Sequence, residues 1–169
     1  MNTLLQYLKD ILNNIVFQTV ISGVLIFLVG ECIQKFILAP IIEHKKIIAK
    51  IDNRLKFYSD VILNPPSGIV RYETYLKSYG KAKNVLRELS CDLEATYKAI
   101  PFKSLFHLFS LVSCKKQILD SAVSLIALYN LTGQRMFSIE VGGKKTTSIL
   151  WALENINNIR KNLRIESYG

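Results

Sequence analysis

Few residues in this chain are of the kinds that do chemistry. Among its 169 residues are two histidines, His44 and His107, three cysteines, Cys32, Cys91 and Cys114, and one tryptophan. There is no glycine-rich phosphate loop, no paired metal-ligand spacing and no nucleophile elbow, so the enzyme classes that carry those signatures have no support here. The three cysteines form no disulfide framework and fit a reduced, cytoplasmic setting. Cys91 with His107 would make a nucleophile and its base, but nothing local supports the pairing. Internal repeats and low-complexity segments are also absent. The expectation is a protein that is not an enzyme and uses no cofactor and no metal.

The absence that says most is of charge. From Ile11 to Gly30 twenty residues pass without one, and the chain stays mostly apolar past Glu31 and Lys35 to Pro40. At about 1.5 Å per residue, a helix of this length matches the roughly 30 Å hydrocarbon core of a bilayer. A buried core helix rarely stays free of charge for so long. A signal peptide fits poorly, because Lys9 is balanced by Asp10 and no small-x-small cleavage pattern follows. The expectation is therefore one retained membrane span. Lys35, Lys45, Lys46, Lys50, Arg54 and Lys56 all follow it against a single lysine before it, so the positive-inside bias places the C-terminal bulk in the cytoplasm. The protein is then a single-pass protein of the inner membrane, with segment 1–40 ahead of a helical domain at 41–169.

Positive charge is abundant, with 22 basic against 13 acidic residues for a net charge of +9. With a pI near 9.5 and a mean hydropathy of +0.23, an anionic partner is implied, either lipid or nucleic acid. The location of the charge favours lipid. Lys45, Lys46, Lys50 and Arg54 follow a helical period next to the span, where each basic side chain gains about 1 kcal/mol from anionic headgroups. Tyr72, Tyr75 and Tyr79 lie near Lys77, Lys81 and Lys83, yet no nucleic-acid-binding motif organises them.

Beyond the span the periodicity is helical, and an all-α bundle is expected. Pro40 should close the span, because proline lacks the donor that a helix interior needs. Ile48, Ile51, Leu55, Tyr58 and Ile62 mark one helix face, ending at the turn cluster Asn64-Pro65-Pro66-Ser67-Gly68. A helix from about Tyr75 to Ala99 carries Ala82, Leu86, Leu89, Leu93, Tyr97 and Ile100 on one side. A short apolar helix, Phe102 to Leu111, follows Pro101. The next runs from Lys115 to Leu131, with Ile118, Ala122, Leu125, Ile126 and Tyr129 inward and Gly133 placed to stop it. Residues 134–147 lose the helical period and read as a loop or small hairpin. A final helix from about Ser148 shows Ile149, Leu150, Leu153, Ile156 and Leu163 on one face.

The candidate site lies in the span. On a helical wheel Gln18, Thr19, Ser22, Gly23, Gly30 and Gln34 share an arc with Ile26, Val29 and Ile33. Its small residues allow close helix packing and its polar ones allow hydrogen bonds between spans, so a homo-oligomer is expected. Glu31 and Lys35, four apart with the acid first, can pair. They mark the membrane boundary, or alternatively a ring of charge around a passage, which would need the helix to bend near Gly30. His44, beside Lys45 and Lys46, reads as a solvated interfacial residue, and His107 as a core or groove-lining one.

The span closed by Pro40, the Asn64-Pro65 turn, the segment Ile100-Pro101-Phe102-Lys103-Ser104-Leu105-Phe106 and the run Leu125-Ile126-Ala127-Leu128-Tyr129-Asn130 together resemble the small single-span membrane accessory proteins of type VI-B CRISPR systems. That resemblance implies a divergent HEPN-like helical class and an oligomeric membrane pore supporting antiviral defence alongside an RNA-guided RNA nuclease. Many HEPN nucleases place a histidine four to six residues after an arginine. Neither His44 nor His107 follows an arginine at that distance, which leaves a pore or anchor role and removes support for nuclease activity. The expected function is a pore-forming or membrane-perturbing effector. The alternative is a membrane-anchored adaptor that recruits a cytoplasmic partner through an exposed Phe102–Leu111 segment.

Overall fold

The structure, a computed structural model, describes residues 14–64, 72–132, 138–141 and 144–165. Two compact units are present, Met1–Pro40 and Ile41–Gly169.

In the first unit helix α1 runs from Ile15 to Ile33. Asn14 starts it: its side-chain oxygen accepts from the backbone N–H of Val16 at 2.9 Å and of Phe17 at 3.4 Å, which satisfies two of the donors a helix N-terminus leaves open. Proline was expected to end this helix at residue 40, and it does not. The helical backbone widens into a π segment, Gln34–Leu38, and continues directly as α2, Ala39–Phe57. The backbone N–H of Ala39 reaches back to the carbonyl of Gln34. A π turn is one of the few ways a helix accommodates an inserted proline, because it relieves the clash between the ring and the preceding turn.

In the second unit α2 is followed, after a break at Tyr58, by the short α3, Ser59–Leu63. The long α4 spans Tyr72–Ala99 and passes through Gly80. Next come the six-residue α5, Lys103–Leu108, and α6, Lys115–Leu131, where Gln117 Oε1 accepts from the backbone N–H of Cys114 at 3.0 Å. Strands β1, Ser138–Val141, and β2, Lys144–Thr147, pair antiparallel with Ser138 opposite Thr147 and Val141 opposite Lys144. The small-hairpin alternative is thus the one found. Helix α7, Ser148–Leu163, follows, with Thr147 as its N-cap. Among the described residues the other regular elements are all helices. The turn at Pro65–Gly68 and the proposed stop at Gly133 lie outside the described residues.

The core sits between α4, α6 and α7, with α2 and α3 packed against them. Helix α4 buries Ala82, Leu86, Leu89 and Leu93 completely, at the i, i+4, i+7, i+11 spacing of one helix face. Small residues let α6 approach it: Ser90 Oγ donates to the carbonyl of Ala122 at 3.0 Å, and Ser121 and Ser124 are buried. Two expected faces are turned from those read in the sequence. On α6, Ile126 is exposed, while Leu128 and Leu131 join Ile118, Ala122 and Leu125 inside. On α7, Leu150 and Leu153 are exposed, and the buried stripe is Ala152, Asn155, Ile156, Ile159 and Leu163. Both helices carry more apolar residues than one face can hold, and the contacts with neighbours decide which stripe turns in.

Candidate functional site

No residue of α1 is buried. Twelve large apolar side chains between Ile15 and Ile33 stand 37–79 % exposed, and the helix is long and apolar enough to cross a membrane. Side chains of this kind lose about 2 kcal/mol each when left fully in water, so twelve at about half exposure amount to roughly 12 kcal/mol. That rivals the whole net stability of an ordinary domain, about 5–15 kcal/mol. Such a helix needs a cover, and none of the described residues supplies one.

The arc of Gln18, Thr19, Ser22, Gly23 and Gly30 lies on α1, and Gln34 opens the π segment. Thr19 turns its hydroxyl inward along its own helix, donating to the carbonyl of Ile15 at 2.8 Å, which removes the cost of exposing it to an apolar medium. Apart from adjoining residues and the helix's own backbone, no atom lies within 4 Å of where a Cβ on Gly23 or Gly30 would project. The small residues therefore leave open space along α1, the space that a closely packed second helix occupies.

Glu31 and Lys35 pair at 2.9 Å. Measured from Ile15 at 1.5 Å per residue, the two stand about 24 and 30 Å along the helix, lengths comparable with the roughly 30 Å of a hydrocarbon core. In an apolar medium two oppositely charged groups joined in this way cost far less than either would alone.

Basic residues follow on α2. Lys45 and Lys46 are exposed and Arg54 is half-buried. Lys50 is engaged by α4, 3.5 Å from Glu88 and 3.6 Å from Asp92, so part of its charge is already answered within the protein. Asp52 gathers Lys56 at 2.6 Å and Arg160 of α7 at 3.6 Å. The recesses on this face are shallow, one of them lined by Lys46, Ala49, Lys50, Asn53 and Arg54. Among the described residues no three His, Cys, Asp or Glu side chains come together as a metal site would require.

Both histidines depart from expectation. His44 is buried, with 1 % of its surface exposed, because it shares a helix face with Ile48, Ile51 and Leu55. Its Nδ1 lies 3.0 Å from Thr96 Oγ1. That hydroxyl spends its proton on the carbonyl of Asp92 at 2.8 Å, so it accepts here and His44 Nδ1 carries the hydrogen. Nε2 is left buried without a hydrogen-bond partner, and the Tyr97 ring lies 5.9 Å from the imidazole. Burial pushes the His44 pKa below its ordinary value, holding the ring neutral. Burial also raises that of Tyr97, helped by the nearby Cys114. His107 is exposed on α5 rather than in a core or groove. The phase of His44 with Ile48, Ile51 and Leu55 was the signal that would have placed it inside.

Segment Phe102–Leu111 is exposed, with Phe102 at 70 % and Leu108 at 76 %. Comparison with known protein families, with characterised proteins and with solved structures finds no match to this chain.

Proposed function

We propose that the protein is a single-span membrane protein whose spans assemble into an oligomer that opens or perturbs the bilayer. The observation that supports this reading is α1, a 19-residue helix with no buried residue and a line of small and polar side chains along an otherwise apolar surface. Lipid covers the large side chains, and Gln18, Thr19, Ser22, Gly23, Gly30 and Gln34 offer a second span close backbone approach and hydrogen bonds. Lys45 and Lys46, exposed beyond the span, orient the helical unit toward the cytoplasm, with the inner membrane as the site of action. Enzymatic turnover forms no part of this reading. A role in antiviral defence beside an RNA-guided nuclease rests on the resemblance in layout, and a neighbouring nuclease gene would support it.

Purified full-length protein should form a ring in detergent and make liposomes leak a trapped dye. Gly23→Leu and Gly30→Leu should each weaken both properties, because the new side chains fill the space a neighbouring helix needs. A strictly monomeric protein with no leakage overturns the proposal, and assembly that survives both substitutions removes this interface.

A further inference from the structure

Between Glu94 and Asp120 the chain carries no acidic residue but four lysines, Lys98, Lys103, Lys115 and Lys116. Glu94 itself is paired with Lys98 at 3.3 Å. In the middle of this stretch stands an apolar projection: Phe102, Leu105, Leu108 and Phe109 are 70, 51, 76 and 65 % exposed. It is a built element, held at both ends. Ile100 and Val112 are buried, Ser113 Oγ donates to the carbonyl of Asn162 at 3.0 Å, and Arg164 Nη1 donates to the carbonyl of Ser110 at 3.1 Å. Phe102 and Ser110 both take left-handed backbone conformations, with φ of 46° and 57°. That geometry is costly for residues other than glycine, and here it turns α5 out of the bundle rather than into it.

Where this projection sits follows from one contact. The second unit begins at Ile41. Three residues later His44 meets Thr96 at 3.0 Å, near the C-terminal end of α4, from which the projection leaves at Ile100. The projection is therefore at the end of the helical unit where the chain arrives from α1.

We infer that Phe102–Phe109 is a second membrane contact, an interfacial element that sinks its apolar side chains among the acyl chains of an anionic lipid surface while Lys115, Lys116 and Arg164 meet the headgroups. This is the arrangement by which amphipathic segments lie in a membrane interface, apolar residues on one side and basic ones around them. The inference rests on the reading of α1 as a span. An acidic protein patch is the competing occupant, and the lipid is favoured because the projection lies where the chain arrives from that span.

The test uses full-length protein carrying Cys32→Ser, Cys91→Ser and Cys114→Ser, reconstituted into phosphatidylcholine–phosphatidylglycerol vesicles. A polarity-sensitive fluorophore is attached at Leu108→Cys or, separately, at Phe27→Cys in α1, and spin-labelled lipids serve as quenchers. The expected result is quenching of the Phe27→Cys probe by deep labels and of the Leu108→Cys probe by shallow ones. Lys115→Gln with Lys116→Gln should weaken partitioning of the Leu108→Cys probe, about fivefold for each lysine removed. If the Phe27→Cys probe is quenched and the Leu108→Cys probe remains in water, the inference fails while the span stands, and the projection is left to a protein partner. If neither is quenched, the span reading fails and the inference with it.

Discussion

The buried imidazole of His44 should make the helical unit weaken in mild acid. Its pKa is lowered from the ordinary 6.5 by burial, so between that value and the folded one the unfolded chain binds a proton that the folded chain refuses. The sign follows: the contribution of His44 is complete above about pH 6.5 and is lost as pH falls below it. One proton is worth at most about 1.4 kcal/mol per pH unit, so the loss between pH 7.5 and 5.5 is at most about 1.4 kcal/mol, reached if the folded ring stays neutral throughout. In a domain of this size that ceiling is a fall in Tm of roughly 4–6 °C. The perturbation is His44→Phe, which keeps a ring beside Tyr97 and gives up one hydrogen bond to Thr96, whose hydroxyl still donates to Asp92. It also removes the unpartnered Nε2. Thermal unfolding by circular dichroism in a mild detergent, at both pH values, gives the drop for each protein. Their difference isolates His44 from every other titrating group. If both proteins lose the same stability between pH 7.5 and 5.5, the imidazole is not held neutral by burial and the reasoning is refuted.

Leu93→Ala, at a fully buried position of the core, should cost about 2–5 kcal/mol, measured by urea unfolding of the full-length protein in detergent. Val24→Lys, near the middle of α1, should raise the cost of insertion by about 2.5–3.5 kcal/mol, and membrane fractionation should show the variant shifting to the soluble or degraded pool. Lys50→Ala should cost no more than about 1 kcal/mol, because its partners Glu88 and Asp92 are partly in water and such pairs are worth little. Unfolding midpoints check it, and a larger loss would mean that Lys50 does more than close α2 onto α4.

Helix positions could be read well from the sequence where periodicity and boundary agreed. The Lys115–Leu131 helix has those bounds in the structure, and Ala82, Leu86, Leu89 and Leu93 are the buried line of α4. Phase was harder to read. On α7 both Leu150–Leu153 and Ala152–Ile156–Ile159 satisfy a helical period, and only contact with α6 and α3 selects between them. Proline was weighed as a helix breaker, and the π turn that accommodates Pro40 depends on backbone widening that no residue type announces. Polar contacts between helices distant in sequence, such as His44 with Thr96 or Asp52 with Arg160, have no local signature. The candidate site was legible as a set of positions along α1. The Glu31–Lys35 pairing was legible from its spacing and is found at 2.9 Å, whereas the space beside Gly23 and Gly30 required coordinates.

The two ends of α1 differ in kind. Near one lies the Glu31–Lys35 ion pair, and the other is capped by the neutral amide of Asn14, with no charge on the chain from Ile11 to Gly30. A bilayer thicker or thinner than the helix is long would be met by the bilayer deforming around it or by the helix tilting, each at a small cost.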